Sequence, residues 1–178
     1  MNLMAEAPEL IESPLSREEL AVKYRALCDD PCLTNVPGKI ELDLWGRMLM
    51  TPAATYDGLI QGRLAARLKN TLGGEVITEA PIATPLGLFI PDVAWASAAF
   101  MGAHGSESPL MAAPEICIEV VSPSNSLKEL SDKREAYFVC AALEVWWVYT
   151  KSKRCEFYGP TGRMQNSAYA VDLTDIFA

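Results

Sequence analysis

Apolar and polar positions along the chain switch between helical and extended periods. Leu20, Tyr24 and Leu27 recur at helical spacing behind Ser16 and Glu19. That S-x-x-E pair is a capping box, in which each side chain satisfies an open backbone donor of the other, so a first helix is predicted to start at Ser16. Residues 28–39 hold Pro31, Pro37 and Gly38 and read as loop. Residues 40–50, IELDLWGRMLM, alternate and then turn apolar around Gly46. This is the pattern of two strands joined by a tight turn, or of one bulged strand. Residues 55–72 carry Ile60, Leu64, Leu68 and Leu72 four apart and stop at Gly73-Gly74, an amphipathic helix with a glycine stop.

Two extended segments follow, 75–83 and 88–95, separated by the turn Thr84-Pro85-Leu86-Gly87. Residues 99–114 are rich in Gly, Ser and Pro and are expected to form a mobile loop. Residues 116–121 are the most apolar strand, 126–141 a helix, and 144–150 with 154–158 a closing pair of strands around Lys151-Ser152-Lys153. The order of elements predicts an α/β or α+β fold with a central mixed β-sheet flanked by helices. No internal repeat is visible.

A chain of 178 residues can bury one substantial core. Residues 1–15, with Pro8 and Pro14 and no clear period, are expected to be a flexible arm ahead of one domain over 16–178. The 50% hydrophobic and 21% charged residues are ordinary globular proportions. No apolar run approaches the roughly 18 residues of a membrane span, and acidic residues stand near the start where a signal peptide is basic, so a cytoplasmic location is expected. The five cysteines include no CxxC pair and no partners at zinc spacing, and they read as reduced thiols.

The net charge of −8 weighs against a broad positive surface for nucleic acid, whose phosphates are bound by Lys and Arg. A local cluster can still coexist with an acidic remainder, and bound cations neutralise acids.

The sharpest chemical feature is Glu119, one carboxylate inside the apolar run ICIEVV. Burying its charge costs several kcal/mol unless a cation or hydrogen bonds compensate. It either serves a site, projects from an exposed face, or pairs with an Arg. Asp92 in FIPDVAW is a second acid in an extended apolar context, and two acids on adjacent strand ends can share one hard cation. On the helix that follows Glu119, Leu127, Leu130, Tyr137 and Ala141 form the expected buried stripe. Lys133 lies on its flank and Arg134 nearer its centre, and the projection does not choose between the two cations. His104, the only histidine, lies in a glycine-rich stretch, which disfavours Ser-His or Cys-His catalysis. No GxGxxG, Walker A, HExxH or GxSxG motif occurs. Trp95, Trp146 and Trp147 read as sheet-packing residues.

Pro91-Asp92, Glu119 and Lys133 together resemble the PD-(D/E)xK nuclease superfamily. The lysine usually found two positions after the second acid is absent, since Val121 stands there. That departure resembles the Uma-type putative restriction endonuclease family, where E-V-x-S-P-S precedes a helix bearing D-K-x-x-x-Y. The matching residues are Glu119-Val120-Val121-Ser122-Pro123-Ser124, then Asp132-Lys133 and Tyr137. Ile40-Glu41-Leu42 with Gly46, Thr51-Pro52 and Glu144-Val145-Trp146 extend the likeness over residues 40–158. Tyr56 and Asp57 fill the place where family members often carry a His.

The resemblance implies a restriction-endonuclease-like fold and a metal-dependent endonuclease acting on nucleic acid, DNA before RNA. It implies Mg²⁺ or Mn²⁺ held by Asp92, Glu119 and the Val120 backbone carbonyl, with Glu41 as an outer ligand. Lys133 would stabilise developing charge, with Ser122, Asp132 and Tyr137 in support. A homodimer would suit cutting of two strands. The alternative is a catalytically inactive nuclease-fold module with a binding or regulatory role, which the acidic balance and the relocated lysine favour, while the three filled polar roles favour the enzyme.

Overall fold

The computed structural model describes residues 13–33, 38–51, 54–123 and 125–178. Most of the expected arm, Pro37, Pro52 and Ser124 of the motif lie outside the described residues. The elements are α1 (Arg17–Cys28), β1 (Lys39–Asp43), β2 (Met48–Thr51), α2 (Thr55–Leu72), β3 (Glu75–Thr78), β4 (Ile82–Thr84), β5 (Gly87–Phe89), β6 (Val93–Ala96), α3 (Ala98–His104), β7 (Ile116–Val121), α4 (Leu127–Val139), β8 (Glu144–Tyr149), β9 (Arg154–Gly159) and β10 (Gly162–Met164).

Local chemistry sets several of these boundaries. The Ser16 hydroxyl accepts the Glu19 N–H at 3.2 Å and the Glu19 carboxylate accepts the Ser16 N–H at 2.8 Å, so the predicted capping box starts α1. Residues 40–50 form the two-strand alternative: β1 and β2 make an antiparallel hairpin whose turn is held by the Asp43 carboxylate and by Gly46 at φ +73°. α2 has the predicted bounds and ends where Gly73 takes φ +67°.

The expected central mixed sheet flanked by helices is present, and a second, smaller sheet stands beside it. A four-stranded antiparallel sheet runs β2-β1-β5-β4, and a six-stranded mixed sheet runs β10-β9-β8-β7-β6-β3. In the larger sheet only β7 and β8 pair in parallel, with α4 as the crossover such a pair requires. Ile60, Leu64 and Leu68 of α2 cover one face of it, packing on Val93, Ile116, Ile118 and Val120. α4 lies on the opposite face, between the two sheets, with Leu130, Ala136 and Tyr137 packed among Ala94, Cys117, Val145 and Ile82. Leu20 and Ala21 of α1 close the outer face of the smaller sheet on Leu42 and Leu88. The period-2 alternation along β7 therefore turns Cys117, Glu119 and Val121 toward α4 and the smaller sheet.

The other departures have physical causes. Residues 88–95 are not one strand. The chain leaves the smaller sheet after Phe89 and enters the larger one at Val93, and Pro91 between them has no N–H for a ladder. Likewise 75–83 divides, with Glu79 at φ +56° between β3 and β4. The stretch 99–114 is tied down rather than mobile. α3 begins at Ser97, which bonds through its N–H and hydroxyl to the Glu115 carboxylate. Leu110 pairs with Ile82, and Glu107 holds the Met111 N–H. On α4 the buried residues are Leu130, Lys133, Ala136 and Tyr137, while Leu127 of the expected stripe is 71% exposed and Ala141 lies beyond the helix. β10 was not anticipated. All five cysteines are free thiols.

Candidate active site

The passage between the two sheets creates the site. Continuing the antiparallel register of Val93 with Ile118 by one residue sets Asp92 opposite Glu119 on the face toward α4. A further step sets Pro91 opposite Val120, where a proline can neither donate nor extend the ladder. The Val120 N–H is taken instead by Asp92 Oδ2, at 2.7 Å. The preceding residue, Ile90, is likewise satisfied by side chains: its N–H goes to Glu41 Oε1 at 2.7 Å and its carbonyl accepts the Lys39 ammonium at 3.0 Å. Buried backbone groups at such a break must find partners, and β1 supplies both.

Lys39 and Glu41 stand two apart on β1 and so face the same side. Lys39 Nζ lies 2.5 Å from Asp92 Oδ1. Glu41 meets Lys133 of α4, whose ammonium is 2.9 Å from Oε1 and 2.8 Å from Oε2. Lys133 also lies 3.8 Å from Glu119 Oε2 and 4.0 Å from Glu129 Oε1. Glu119 Oε1 accepts the Tyr137 hydroxyl at 2.6 Å. Glu41, Asp92, Glu119 and Lys133 are all buried.

The charges are strongly coupled. Burial pushes the Glu119 carboxyl up to about 7, with the Asp92 charge adding to the shift and Lys133 opposing it. Burial would lower Lys133, but the Glu119 and Glu41 carboxylates outweigh it and hold the ammonium above the usual lysine range. Lys39 behaves the same way between Glu119 and Asp92. Burial and the carboxylate neighbour Glu119 push the Tyr137 hydroxyl well up, so it stays a donor.

Asp92, Glu119, Val120 and Lys133 line a cleft of about 100 Å³, together with Lys39, Asp57, Glu79, Ser122 and Asn125. Asp57 stands in the first turn of α2, and burial followed by the Asp92 charge pushes its carboxyl up.

The geometry thus brings together Asp92, Glu119, Lys133 and Tyr137 and chooses Lys133 over Arg134, whose guanidinium stacks on Trp147 and Tyr158. Ser122 lines the cleft and bonds to Asn125. Glu41 reaches the site through Lys133, with its oxygens engaged by that ammonium and by Ile90. Asp132 points elsewhere, pairing with Lys128 at the surface. His104, the last residue of α3, pairs with Glu107 and does not line the cleft. Lys39 and Asp57 do not stand out as site residues in the sequence. The signal for Lys39 was its period-2 relation to Glu41, and for Asp57 the family position it fills.

A hard divalent cation fits this donor set. The Asp92 and Glu119 carboxylates face one cleft, the Asp92 charge adds to the cost of ionising Glu119, and oxygen ligands suit Mg²⁺ or Mn²⁺. Among the described residues no group of three or more His, Cys, Asp or Glu side chains is placed to hold a metal ion by itself, so the two carboxylates would need the Val120 carbonyl or water beside them.

The family model described as Uma2, putative restriction endonuclease, matches residues 22–176. Among solved structures, the chain is similar to a putative nuclease belonging to DUF820 from Anabaena variabilis. The TM-score is 0.60 at 13% identity, with 86% of this chain and 82% of that one covered. The likeness establishes a restriction-endonuclease-like fold. No curated protein matches the sequence. Among the described residues no helix is long and apolar enough to cross a membrane.

Proposed function

The chain belongs to the Uma2 putative restriction endonuclease family, and from that premise we propose that it is a metal-dependent endonuclease hydrolysing phosphodiester bonds in DNA. The observation that carries the proposal is the meeting of Asp92 and Glu119 in one cleft, with the Lys133 ammonium 3.8 Å from Glu119.

Asp92 and Glu119 are the residues that would hold Mg²⁺ or Mn²⁺, with the Val120 carbonyl beside them. Pro91, opposite Val120 in the continued register, has no N–H to offer that carbonyl. A bound cation would supply polarisation of a phosphoryl oxygen and a more acidic water. Glu119 is held in place by Tyr137, and Lys133 is held by Glu41, so both charges are preorganised and lose little on reorganisation when the phosphate becomes more negative. Lys133 offsets that developing charge. Glu41, unlike Asp92 and Glu119, does not line the cleft, and it acts as the anchor of Lys133 rather than as an outer ligand of the ion. Ser122 and Asn125 shape the rim of the cleft.

The test is nicking of supercoiled plasmid and cutting of labelled single strands with Mn²⁺, Mg²⁺ or EDTA, comparing the wild type with Glu119→Gln and Lys133→Ala. Metal-dependent cutting lost in both variants is the expected result. No cutting of any substrate, together with no Mn²⁺ binding by calorimetry, refutes catalysis and leaves a nuclease-fold binding module.

A further inference from the structure

The proposed reaction makes no use of Lys39, although its ammonium is the cation nearest to Asp92. It lies 2.5 Å from Oδ1, with 12% of its side chain and 10% of that of Asp92 exposed. Both Asp92 oxygens are thus engaged, but by partners of different kinds. The Val120 N–H on Oδ2 belongs to a central strand and cannot leave without breaking β7. Lys39 sits on a four-carbon flexible stem at the N-terminal end of β1, both it and Asp92 line the cleft, and its bond to the Ile90 carbonyl at 3.0 Å is one it gives up on leaving. The charged groups that face Lys39 are Asp92 and Glu119, which attract it, and Lys133, which repels it. A divalent cation held by those same two carboxylates would add a second repulsion at short range.

We propose that Lys39 is a tethered counter-ion that keeps a cation's place on Asp92, leaves when a divalent cation is bound there, and then pairs with a phosphate of the nucleic acid at the mouth of the cleft. The inference rests on the nuclease reading of the same site. It gives the site a linkage: a phosphate that captures Lys39 removes the competitor from Asp92, so metal and nucleic acid each tighten the other's binding by the same factor. It also keeps the acids compensated in the metal-free protein.

Calorimetric titration of Mn²⁺ into metal-free wild type, Lys39→Gln, Lys39→Met and Lys39→Arg tests this. Lys39→Gln keeps a donor for the Ile90 carbonyl, and Lys39→Arg keeps the charge. The Gln and Met variants are expected to bind Mn²⁺ about tenfold more tightly than the wild type, and the Arg variant not to do so. Fluorescence anisotropy of a labelled DNA duplex, in EDTA and in Ca²⁺, should show a metal-induced gain in wild-type affinity that shrinks in the Gln and Met variants. Wild-type Mn²⁺ binding with no tightening in the Gln and Met variants overturns the role of Lys39 alone, as does equal weakening in all three variants. Failure of the wild type to bind Mn²⁺ at all overturns the nuclease reading and this inference with it.

Discussion

Replacing Lys133 with methionine keeps most of the apolar stem and deletes one buried charge, and the surroundings of that charge set the cost. The ammonium is 2.8 Å and 2.9 Å from the two Glu41 oxygens and 3.8 Å from Glu119, and the side chains of Lys133, Glu41 and Glu119 are 4%, 3% and 6% exposed. Its removal strands two acids where water does not reach them. Breaking a buried pair from one side costs about 3–5 kcal/mol, far more than an exposed pair contributes. For a chain of this length that lowers the melting temperature by roughly 6–20 °C. Adding Glu41→Gln to Lys133→Met removes the nearer of the two stranded acids while keeping an acceptor for the Ile90 N–H, so the double variant should regain more than half of the loss. Urea unfolding in EDTA, followed by tryptophan fluorescence, measures both. A loss below about 1 kcal/mol for Lys133→Met, or a double variant no more stable than the single, would show that the pair is solvated and refute the reasoning.

Glu119 predicts a pH dependence. Its folded value of about 7 lies above the ordinary 4.5, so the folded, metal-free protein holds a proton that the unfolded chain releases. Its contribution to stability is therefore fully present below about pH 4.5 and lost as pH rises through about 7, and Glu119→Gln should flatten that slope in urea unfolding. Mn²⁺ needs the carboxylate, so calorimetric affinity should fall as pH drops below about 7. Tyr137→Phe removes the 2.6 Å hydroxyl donor from Glu119 Oε1 and should cost about 1–3 kcal/mol in the same unfolding assay. Gly74→Ala should cost more than about 1 kcal/mol by thermal melting, because Gly74 has φ +60° and an added Cβ would stand 2.5 Å from the Ala96 carbonyl oxygen.

Much of the candidate site was legible because of where its charges interrupt apolar runs. Glu119 in ICIEVV and Asp92 after Pro91 stood out since a buried carboxylate must be met by something, and the spacing to Lys133 and Tyr137 completed a family pattern. Asp132 belongs to the same pattern, yet its carboxylate is at the surface with Lys128. Sequence spacing fixes which helix a residue is on more firmly than which way it faces. The projection of α4 could not separate Lys133 from Arg134 for that reason. The expected stripe was anchored on Leu127, whereas the helix turns its Lys133 side inward toward Glu41, a residue 92 positions away.

The sequence by itself determined the local elements: the Ser16 capping box, α2 with its glycine stop, and the apolar strand around Glu119. Each follows from contacts within a few residues, where propensity, capping and periodicity act directly. Only the tertiary structure decided that there are two sheets, that the chain crosses between them at Ile90-Pro91-Asp92, and that Lys39 and Glu41 of β1 complete the backbone hydrogen bonds at that crossing. Those partners are about 50 residues apart along the chain. A hydrogen bond or ion pair over such a separation leaves no period in the sequence, since it is selected by packing of whole layers and by the cost of leaving a buried charge or a backbone group alone.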